Sequence, residues 1–373
     1  MNQYNTNYFV LLYNTAKKKM FSMISKSFIF LQRHKKNTMK ENIALLLGGD
    51  SSESVISEKS AHQVLQYLDS DLYDVYPINI KGKSWTYRHH EAIIDVDKND
   101  FSLICDERRI HFDCAIPMIH GTPGEDGRLQ AYFELMQIPY ISSGVLTSSL
   151  SFNKHACKTY LNSLGVLFPK GKLIRKGEKV NVQELCNILG LPCFVKPNNG
   201  GSSFGVSKIK SSHELLPALE AAFAEDEHEA LVEEYIEGIE ITCGLVKLDE
   251  EIMVFPITEI ISKKDFFDVE AKYSAGLSEE ITPANISETL RVDCEILSAA
   301  IYKYLNCRGI VRIDYLVRDE QLYFLELNTV PGMSVASIIP KQIKAMEKMS
   351  IKELYSKLIK EAIERIGQER KKK

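Results

Sequence analysis

The chain has 373 residues, of which 46 are basic and 50 acidic, giving a net charge of −4 at pH 7. This length predicts two or three domains rather than one small core. No apolar run reaches the roughly 18 to 20 residues that a membrane-spanning helix needs, which argues against a membrane partner. The eight cysteines form no CxxC pair, and such scattered thiols favour the reducing cytoplasm over a disulfide framework or a zinc site.

Residues 1–40 differ from the rest of the chain, because they contain eight Lys and Arg and no Asp or Glu. A signal peptide is one interpretation, but Lys26 interrupts the apolar stretch and no A-x-A cleavage site follows. We expect instead a basic extension that is disordered or reflects a mis-assigned start, with Met39 just before the first strand. The remainder has 38 basic and 50 acidic residues, a net charge of −12, which argues against nucleic acid as a partner.

The segment up to residue 141 alternates short apolar strands with helices. Residues 43–47 predict a buried strand, and "DVYPINI" and "CAIPMIH" predict two more. "SEKSAHQVLQYL" and "GRLQAYFELMQIPY" predict helices, the first with an apolar face made of Ala61, Val64, Leu65 and Leu68. This alternation indicates an α/β domain over residues 41–141, with ligand loops at the carboxyl ends of its strands.

The pattern changes to α+β over residues 142–233. "PCFVKP" and "GVSKIK" predict paired strands, "SHELLPALEAAFAE" a helix despite Pro217, and "EALVEEYI" the strand that leads out. Residues 234–367 predict antiparallel strands and long helices, and Ser350 and Glu353 predict a capping box at the last helix. We expect residues 368–373 to form a frayed, solvated tail.

A Gly/Ser-rich loop lies between two predicted strands in "KPNNGGSSFGVSKI", which begins at Lys196. Backbone N–H groups approach oxyanions closely where no Cβ intervenes, so this loop is suited to cover phosphates, with Lys196 pointing at them. The lysine precedes the loop, unlike the Walker pattern GxxxxGK[ST]. For this motif alone, a floppy hairpin with an incidental lysine has equal weight.

The stretch "RIDYLVRDEQLYFLELNTVPGM", which begins at Arg312, predicts a β-hairpin with its turn at "DEQ". Pairing of Arg318 with Leu322 would fix the register. That register places Asp314 opposite Glu326, whereas a slip of one residue would separate the two carboxylates. Facing carboxylates are destabilising unless a positive charge neutralises them, so the hairpin predicts a bound cation.

The same register places Arg312 opposite Asn328 and extends the polar face. A ligand set of Asp, Glu and Asn contains only oxygen donors, which favours magnesium or manganese over zinc. A solvated strand face is the alternative. It is disfavoured because the turn end of this face would carry the apolar Leu316, Leu322 and Phe324.

Two further motifs are less specific. "HGTPGEDG", from His120 to Gly127, precedes a helix, where acidic residues commonly pair with the helix dipole. We favour a structural role for Glu125 and Asp126 and leave the role of His120 open. "FFDVEAKYS" predicts a loop whose lysine and tyrosine are able to reach a site.

In chain order, eight motifs resemble those of the D-alanine–D-alanine ligases of the ATP-grasp superfamily. They are "LLLGGDSSE", "HGTPGEDG", "SSLSFNKHACK", "VKPNNGGSSFGVSK", "VEEYIEGIE", "FFDVEAKYS", "RIDY" and "FLELNTVPGM". The resemblance covers residues 42–366 and implies a three-domain ligase, with an α/β N-terminal domain followed by an α+β ATP-grasp fold. It implies an ATP-grasp lid domain at 142–233, a catalytic domain at 234–367, and a cytoplasmic homodimer.

The resemblance implies a reaction in which ATP and the carboxylate of one D-alanine form an acyl phosphate. The amine of a second D-alanine then attacks, and loss of phosphate leaves D-alanyl-D-alanine for peptidoglycan precursor synthesis. The alternatives are a D-alanine–D-lactate or other carboxylate–amine ligase, and a non-catalytic ATP-binding relative. The intact polar set of the hairpin argues against the last, because a pure binder has little use for groups that stabilise a transition state.

The resemblance also implies three sets of site residues, named here in full. The catalytic set is Glu53, Ser202, Tyr273, Arg312, Gly332 and Ser337. The ATP-binding set is Lys154, Lys196, Gly201, Ser202, Ser203, Gly205, Glu233, Glu234, Tyr235, Ile236, Glu240 and Lys272. The metal set, for about two Mg²⁺ or Mn²⁺, is Asp314, Glu326 and Asn328.

Within the ATP-binding set, the resemblance assigns Lys154 and Lys196 to the phosphates, under a lid formed by the Gly and Ser residues of the loop. Residues 233–236 would face adenine, Glu240 the ribose hydroxyls, and Lys272 the γ-phosphate. Departures from the family pattern lie at Glu234, where some relatives have lysine, and at Val269, where an aromatic residue is common.

Within the catalytic set, the resemblance assigns Glu53 to the first substrate's ammonium and Ser337 to the second substrate's carboxylate. Arg312 and the backbone N–H of Gly332 would stabilise the tetrahedral intermediate.

Tyr273 carries the inference on substrate choice. In the family, a tyrosine here is hydrogen-bonded with the residues matching Ser202 and Glu53 and closes the site. A neutral phenol neither attracts the carboxylate of lactate nor repels an ammonium, so Tyr273 favours the amine substrate over D-lactate.

Overall fold

In the described part of the chain, three β-sheets of four to six strands, one two-stranded hairpin and the covering helices form a compact unit from Asn42 onward. The computed structural model describes residues 40–262 and 278–372. Two of the predicted site residues, Lys272 and Tyr273, therefore lie outside the described residues, as does most of the basic extension.

The first sheet is mixed and has the strand order β4-β3-β2-β1-β7. Its strands are β1 (Glu41–Gly48), β2 (Tyr73–Lys81), β3 (Ser84–His89), β4 (Ala92–Asp95) and β7 (Cys114–Pro117), and β5 (Ser102–Cys105) and β6 (Arg108–His111) form a separate hairpin. Strands β1 and β7 are parallel neighbours, with Ile43 opposite Cys114. Since the carboxyl ends of parallel strands meet at one edge, the loops after β1 and β7 emerge side by side, as the sequence predicts.

Helix α1 (Ser54–Tyr67) follows β1, and helix α2 (Arg128–Met136) follows β7. Of the predicted apolar face of α1, Ala61, Val64 and Leu68 are buried, but Leu65 is 38% exposed. The prediction for Leu65 is wrong because the buried face of α1 is rotated toward Ser57 and Ser60, whose hydroxyls contact His120.

The second sheet has the order β10-β9-β11-β8, all antiparallel, and carries the predicted Gly/Ser loop. Its strands are β8 (Gly171–Arg175), β9 (Cys193–Pro197), β10 (Ser207–Ile209) and β11 (Glu229–Glu234). Helices α3 (Val145–Phe152) and α4 (Lys154–Leu161) come before this sheet in the chain. Helix α5 (Val182–Leu189) connects β8 to β9, and helix α6 (Leu215–Glu225) connects β10 to β11. Pro217 is tolerated because it lies in the first turn of α6, where its missing N–H has no helical partner to lose.

The third sheet has the order β15-β14-β12-β16-β17, and β13 also pairs with β12. Its strands are β12 (Ile239–Leu248), β13 (Glu251–Val254), β14 (Thr258–Ser262), β15 (Ser278–Ile281), β16 (Ile310–Arg318) and β17 (Gln321–Asn328). Its buried core joins Ile241, Val311 and Phe324 with helix α7 (Glu288–Tyr304). Helices α8 (Ile338–Met346) and α9 (Ile351–Lys372) complete the chain.

The start of α9 confirms the predicted capping box, since Glu353 N donates to Ser350 Oγ at 3.2 Å and Ser350 N donates to Glu353 Oε2 at 2.8 Å. Its end differs from the expected frayed tail, because the helix continues to Lys372. Basic residues at a helix C-terminus are favoured by the helix dipole, and Arg370 Nη2 also donates to Gln137 O at 2.9 Å. Among the described residues, no helix combines the length and the apolar character needed to cross a membrane.

Candidate active site

Two adjoining clefts bring most of the predicted site residues together. The first, called the arginine cleft, is lined by residues that include Glu53, Ser202, Glu240, Arg312, Asp314, Asn328, Gly332 and Ser337. The second, called the lysine cleft, is lined by residues that include Lys154, Lys196, Gly201, Ser203, Glu233, Glu234, Tyr235, Ile236, Glu240, Asp314 and Glu326. Asp314 and Glu240 line both clefts, so the two form one continuous site.

The β16–β17 hairpin places Asp314 at the junction of the clefts. Asp314 lies opposite Glu326, and Arg312 opposite Asn328, as the sequence predicts. Arg312 Nε and Nη2 donate to the two carboxylate oxygens of Asp314 at 2.9 and 2.8 Å, and Asn328 Nδ2 donates to Oδ2 at 3.2 Å. Thr242 Oγ1 adds a donor at 2.5 Å from the neighbouring strand β12. The carboxylate is therefore held from three directions.

The pairing of Asp314 with Glu326 agrees with the prediction, but the turn of the hairpin differs from it. Arg318 pairs with Gln321 rather than Leu322, because Asp319 and Glu320 form a two-residue turn with positive φ at both positions. A bulge between the pairs of Asp314 and Tyr315 then restores the expected alignment farther along the hairpin.

The bulge leaves Leu325 unpaired and reverses the faces at the turn end. Phe324 lies opposite Tyr315 and packs with Leu322 in the core, so the prediction that these two share the polar face is wrong. Leu316 and Leu325 line the lysine cleft instead.

Lys154 connects the hairpin to the Gly/Ser loop. Its Nζ lies 3.4 Å from Glu326 Oε2 and also donates to the carbonyl of Gly200. The side chain is 9% exposed, so its charge faces the site rather than bulk water. Asn153 caps helix α4 by accepting from Ala156 N at 2.9 Å, which fixes the helix end where Lys154 lies.

The Gly/Ser loop spans β9 and β10 and reaches across to the first sheet. Ser202 Oγ donates to Glu53 Oε1 at 2.5 Å, linking the loop to the segment after β1. Ser202 and Ser203 both have positive φ, a backbone conformation that residues with a Cβ rarely adopt. Gly205 lies in this loop too, against Pro197 and Glu225, and is not among the residues that line the two clefts.

Glu233 is buried between two lysines at the end of β11. Lys196 Nζ lies 2.6 Å from Glu233 Oε2, and Lys158 of α4 contacts Oε1. Burial opposes ionisation of this carboxyl, but Lys158 and Lys196 together outweigh burial and lower the pKa of Glu233. We call Lys158, Lys196 and Glu233 the lysine cluster.

His120 and Glu125 are buried residues in the lining of the arginine cleft, and Glu125 contacts the segment after β17. Glu125 accepts from Gly121 N at 2.8 Å and from Val330 N at 3.2 Å, and His120 Nε2 lies 3.1 Å from Ser60 Oγ. Burial and the nearby Arg312 charge lower the pKa of His120 to about 4, so its ring is neutral near pH 7. Burial, together with the Glu53 charge, raises the pKa of Glu125.

Comparison with known proteins decides the family. A model of the D-ala D-ala ligase N-terminus matches residues 42–143, and a model of the D-ala D-ala ligase C-terminus matches residues 162–360. The chain belongs to the D-alanine–D-alanine ligase family. It is 43% identical over 323 residues to a D-alanine–D-alanine ligase of Bacteroides fragilis, covering 86% of this chain and 99% of that protein.

Solved ligase structures share the fold of this family member. The D-alanyl-alanine synthetase A of Vibrio cholerae superposes with a TM-score of 0.78 at 28% identity, covering 87% of this chain and 98% of that one. The VanG D-Ala:D-Ser ligase of Enterococcus faecalis gives a TM-score of 0.76 at 30% identity, covering 87% and 100%. The α/β N-terminal domain and ATP-grasp architecture expected from the sequence are confirmed.

Sequence reasoning missed several residues that this ligase places at or beside the site. The sequence favours a structural role for Glu125 and leaves the role of His120 open, yet both residues line the arginine cleft. Thr242 and Lys158 were not singled out. A signal existed for Lys158, because it lies four residues after Lys154 on one helix and therefore shares its face.

Proposed function

We propose that this protein uses ATP to join two D-alanine molecules into D-alanyl-D-alanine, through a D-alanyl phosphate, for peptidoglycan precursor synthesis. The observation that carries the proposal is the continuity of the two clefts at Asp314. One side offers lysines and a Gly/Ser loop suited to phosphates, and the other offers Arg312 and Glu53, suited to an amino acid. The transferred phosphoryl group and the substrate carboxylate would meet at this junction.

In the lysine cleft, Lys154 and Lys196 would bind the ATP phosphates, with Lys272 at the γ-phosphate. Residues 201, 202, 203 and 205 would form the lid over them, and residues 233–236 would face adenine. Glu240, which lines both clefts, would bind the ribose hydroxyls. Phosphoryl transfer depends mainly on positioning and charge neutralisation, which this distribution of ammonium groups can supply.

The hairpin would hold the divalent cations through Asp314, Glu326 and Asn328. The donor set fits Mg²⁺ or Mn²⁺, because all three side chains present oxygen atoms on one face and the two carboxylates lie in paired positions. About two ions are proposed. When bound, they would neutralise charge on the phosphate oxygens.

In the arginine cleft, the buried Glu53 would hold the ammonium of the first D-alanine. Arg312 has its guanidinium ordered by Asp314, and it would stabilise the tetrahedral intermediate together with the backbone N–H of Gly332. A Cβ at Gly332 would lie 2.8 Å from Ser337 Oγ, so glycine keeps this approach open. Ser337 would bind the carboxylate of the second substrate.

Substrate choice is proposed to rest on Tyr273 together with the Ser202–Glu53 hydrogen bond. The phenol would leave the amine of the second D-alanine without a repelling charge, and it would give no cation to the carboxylate of D-lactate. D-lactate is therefore proposed as the poorer second substrate near neutral pH.

The wider organisation is also proposed. We assign residues 41–141, 142–233 and 234–367 to N-terminal, lid and catalytic domains, since each sheet falls almost wholly within one of them. We place the enzyme in the cytoplasm, where its eight free, buried thiols would stay reduced, and we expect a homodimer. Light scattering of the purified chain should give twice the mass of one chain, and a single-chain mass would contradict the dimer.

The deciding experiment measures phosphate release with ATP, Mg²⁺ and D-alanine as the only amino acid. Phosphate and D-alanyl-D-alanine should appear in equal amounts. Absence of D-alanine-dependent turnover would refute the ligase. Parallel reactions that add D-lactate or D-serine test substrate choice, and preferential incorporation of D-lactate near pH 7 would refute the role given to Tyr273.

A further inference from the structure

The lysine cluster contains one more cation than the proposed ATP site requires. Helix α4 supplies Lys154 and, one turn later, Lys158, and both side chains are largely buried, paired with Glu326 and Glu233 respectively. Of the described residues, the lining of the lysine cleft includes Lys196 and Glu233 but not Lys158. Lys158 is thus placed to act through its neighbours rather than on a ligand.

The two oxygens of Glu233 are divided between the two lysines. Lys196, which lines the lysine cleft, places its Nζ 2.6 Å from Glu233 Oε2, and Lys158 Nζ contacts Glu233 Oε1. The side chain of Glu233 is 4% exposed and that of Lys158 is 10% exposed, so water screens these contacts little. A buried carboxylate that loses one of two cations binds the remaining cation more tightly.

The charges of the cluster sum to +1 while Lys158 is present and to zero without it. With Lys158, the Glu233 carboxylate is already neutralised when Lys196 turns toward a phosphate. Without Lys158, the movement of Lys196 toward a phosphate would leave the buried Glu233 carboxylate without a neighbouring positive charge, which costs free energy.

We propose that Lys158 is a positioning residue for ATP, whose buried ammonium neutralises Glu233 and thereby frees Lys196 to contact the ATP phosphates. This inference rests on the proposed role of Lys196 in ATP binding. It adds to that role a requirement that the resemblance to the ligase family does not supply.

The protonation state of Lys158 gives the proposal a pH signature. Burial lowers the pKa of Lys158 to about 8; Glu233 on β11 opposes this shift, and Lys196 on β9 and Lys154 on α4 add to it. The neighbouring Cys157 thiol has its pKa raised by burial and stays neutral near pH 8. Loss of the Lys158 proton should therefore weaken ATP binding as pH rises through about 8.

The test compares the full-length wild type with Lys158→Met by calorimetric titration with Mg²⁺–ATP and by steady-state kinetics. Lys158→Met should weaken ATP binding and raise KM for ATP by about tenfold, because one unit of cluster charge is lost. The KM for D-alanine should change by less than about twofold. Lys158→Arg should restore most of the ATP affinity, since it keeps the charge.

Lys172→Met is the matched control, because Lys172 is exposed on β8 beside Val232 and should leave ATP affinity unchanged. Wild-type affinity should fall above about pH 8, and this fall should be absent in Lys158→Met. Equal ATP affinity and equal pH profiles in the two proteins would overturn the proposal. If Lys158→Met fails to fold, a wild-type affinity that stays constant up to about pH 9.5 overturns it instead.

Failure of the wider function gives a different result. A wild type that binds ATP without D-alanine turnover refutes the ligase, while the titrations still decide the role of Lys158. A Lys196→Met variant with normal ATP affinity refutes the role of Lys196, and the present inference with it.

Discussion

The β16–β17 hairpin and the lysine cluster each bury a carboxylate, Asp314 and Glu233, that contacts at least one basic side chain, yet only the contacts of Asp314 are predicted by the sequence. Asp314 is held by Arg312 two residues away and by Asn328 across one hairpin. Glu233 is held by Lys158, which lies 75 residues earlier and in a different element. The alternation of side chains along a strand predicts the contacts of Asp314, whereas no periodicity predicts the contact between Glu233 and Lys158.

The two clusters also differ in their balance of charge. Asp314 and Glu326 are matched by Arg312 and Lys154, so incoming cations would compete with resident basic groups. The lysine cluster keeps an excess positive charge and would attract phosphate. The difference predicts that the hairpin governs the chemical step and that the lysine cluster governs ATP affinity.

The largest expected effect comes from Asp314→Asn, and Glu326→Gln should behave similarly. Each removes a charge proposed to hold the cations, so kcat should fall by about 100- to 1,000-fold. Circular dichroism should show an intact fold. Asp319→Asn, at the exposed turn of the same hairpin, is the control and should keep normal activity. Near-normal kcat in both site variants would contradict the assignment.

The next largest effect is expected for Lys196→Met, and it should appear mainly in KM for ATP. Loss of the ammonium in the lysine cleft should raise this constant by about tenfold to a hundredfold. Steady-state kinetics with ATP varied at saturating D-alanine provide the measurement. A fall in kcat with an unchanged KM for ATP would contradict the proposal that the lysine cluster governs ATP affinity and the hairpin governs the chemical step.

A smaller effect is expected for Thr242→Val, which removes the 2.5 Å hydrogen bond to Asp314 Oδ1 while preserving the shape of the side chain. The carboxylate would lose one of its orienting donors, so kcat should fall by about tenfold. Thr242→Ser keeps the hydroxyl and should retain most of the activity. Equal losses in Val and Ser variants would point to packing instead of orientation.

The smallest effect concerns stability and Glu125. Its raised pKa means that the folded state binds this proton more tightly than the unfolded chain, whose carboxyl titrates near 4.5. The resulting stabilisation is complete below that value and is lost as pH rises through the raised pKa.

Glu125→Gln should abolish this pH-dependent contribution. The variant loses one backbone hydrogen bond at every pH, because an amide nitrogen cannot accept the N–H of Gly121 or Val330. Relative to wild type, its melting temperature should rise by a few degrees between about pH 5 and about pH 9. A constant difference between the two proteins would show that Glu125 is already ionised at neutral pH.

Much of the fold and the pairing of the β16–β17 hairpin follow from local patterns. The first strand, the paired strands around the Gly/Ser loop, and the capping box of α9 depend on neighbours in sequence, and all were predicted. The prediction that Leu65 lies on the buried face of α1 is wrong, because contacts of Ser57 and Ser60 with the distant His120 set the orientation of this helix.

The hairpin shows how a correct pairing can follow from an incorrect premise. The predicted three-residue turn is a two-residue turn, and the missing residue reappears as the bulge at Leu325. Alternation alone cannot locate a bulge, because the count of residues between the paired carboxylates is the same in both arrangements. Local patterns do not reveal the surroundings of Glu125 and Lys158 for another reason, since the burial of each depends on elements far apart in the chain.

The bulge at Leu325 has a consequence for how the site can change. It presents Leu325 and Glu326 consecutively to the lysine cleft, so a residue of the proposed nucleotide site and a proposed metal ligand are neighbours in one strand. Their Cα atoms are therefore fixed about 3.8 Å apart by covalent geometry. Insertions in the loops would leave this separation unchanged, so the distance between the apolar wall at Leu325 and the proposed metal site at Glu326 is constant. A change in the proposed nucleotide preference would therefore have to come from other residues that line the lysine cleft.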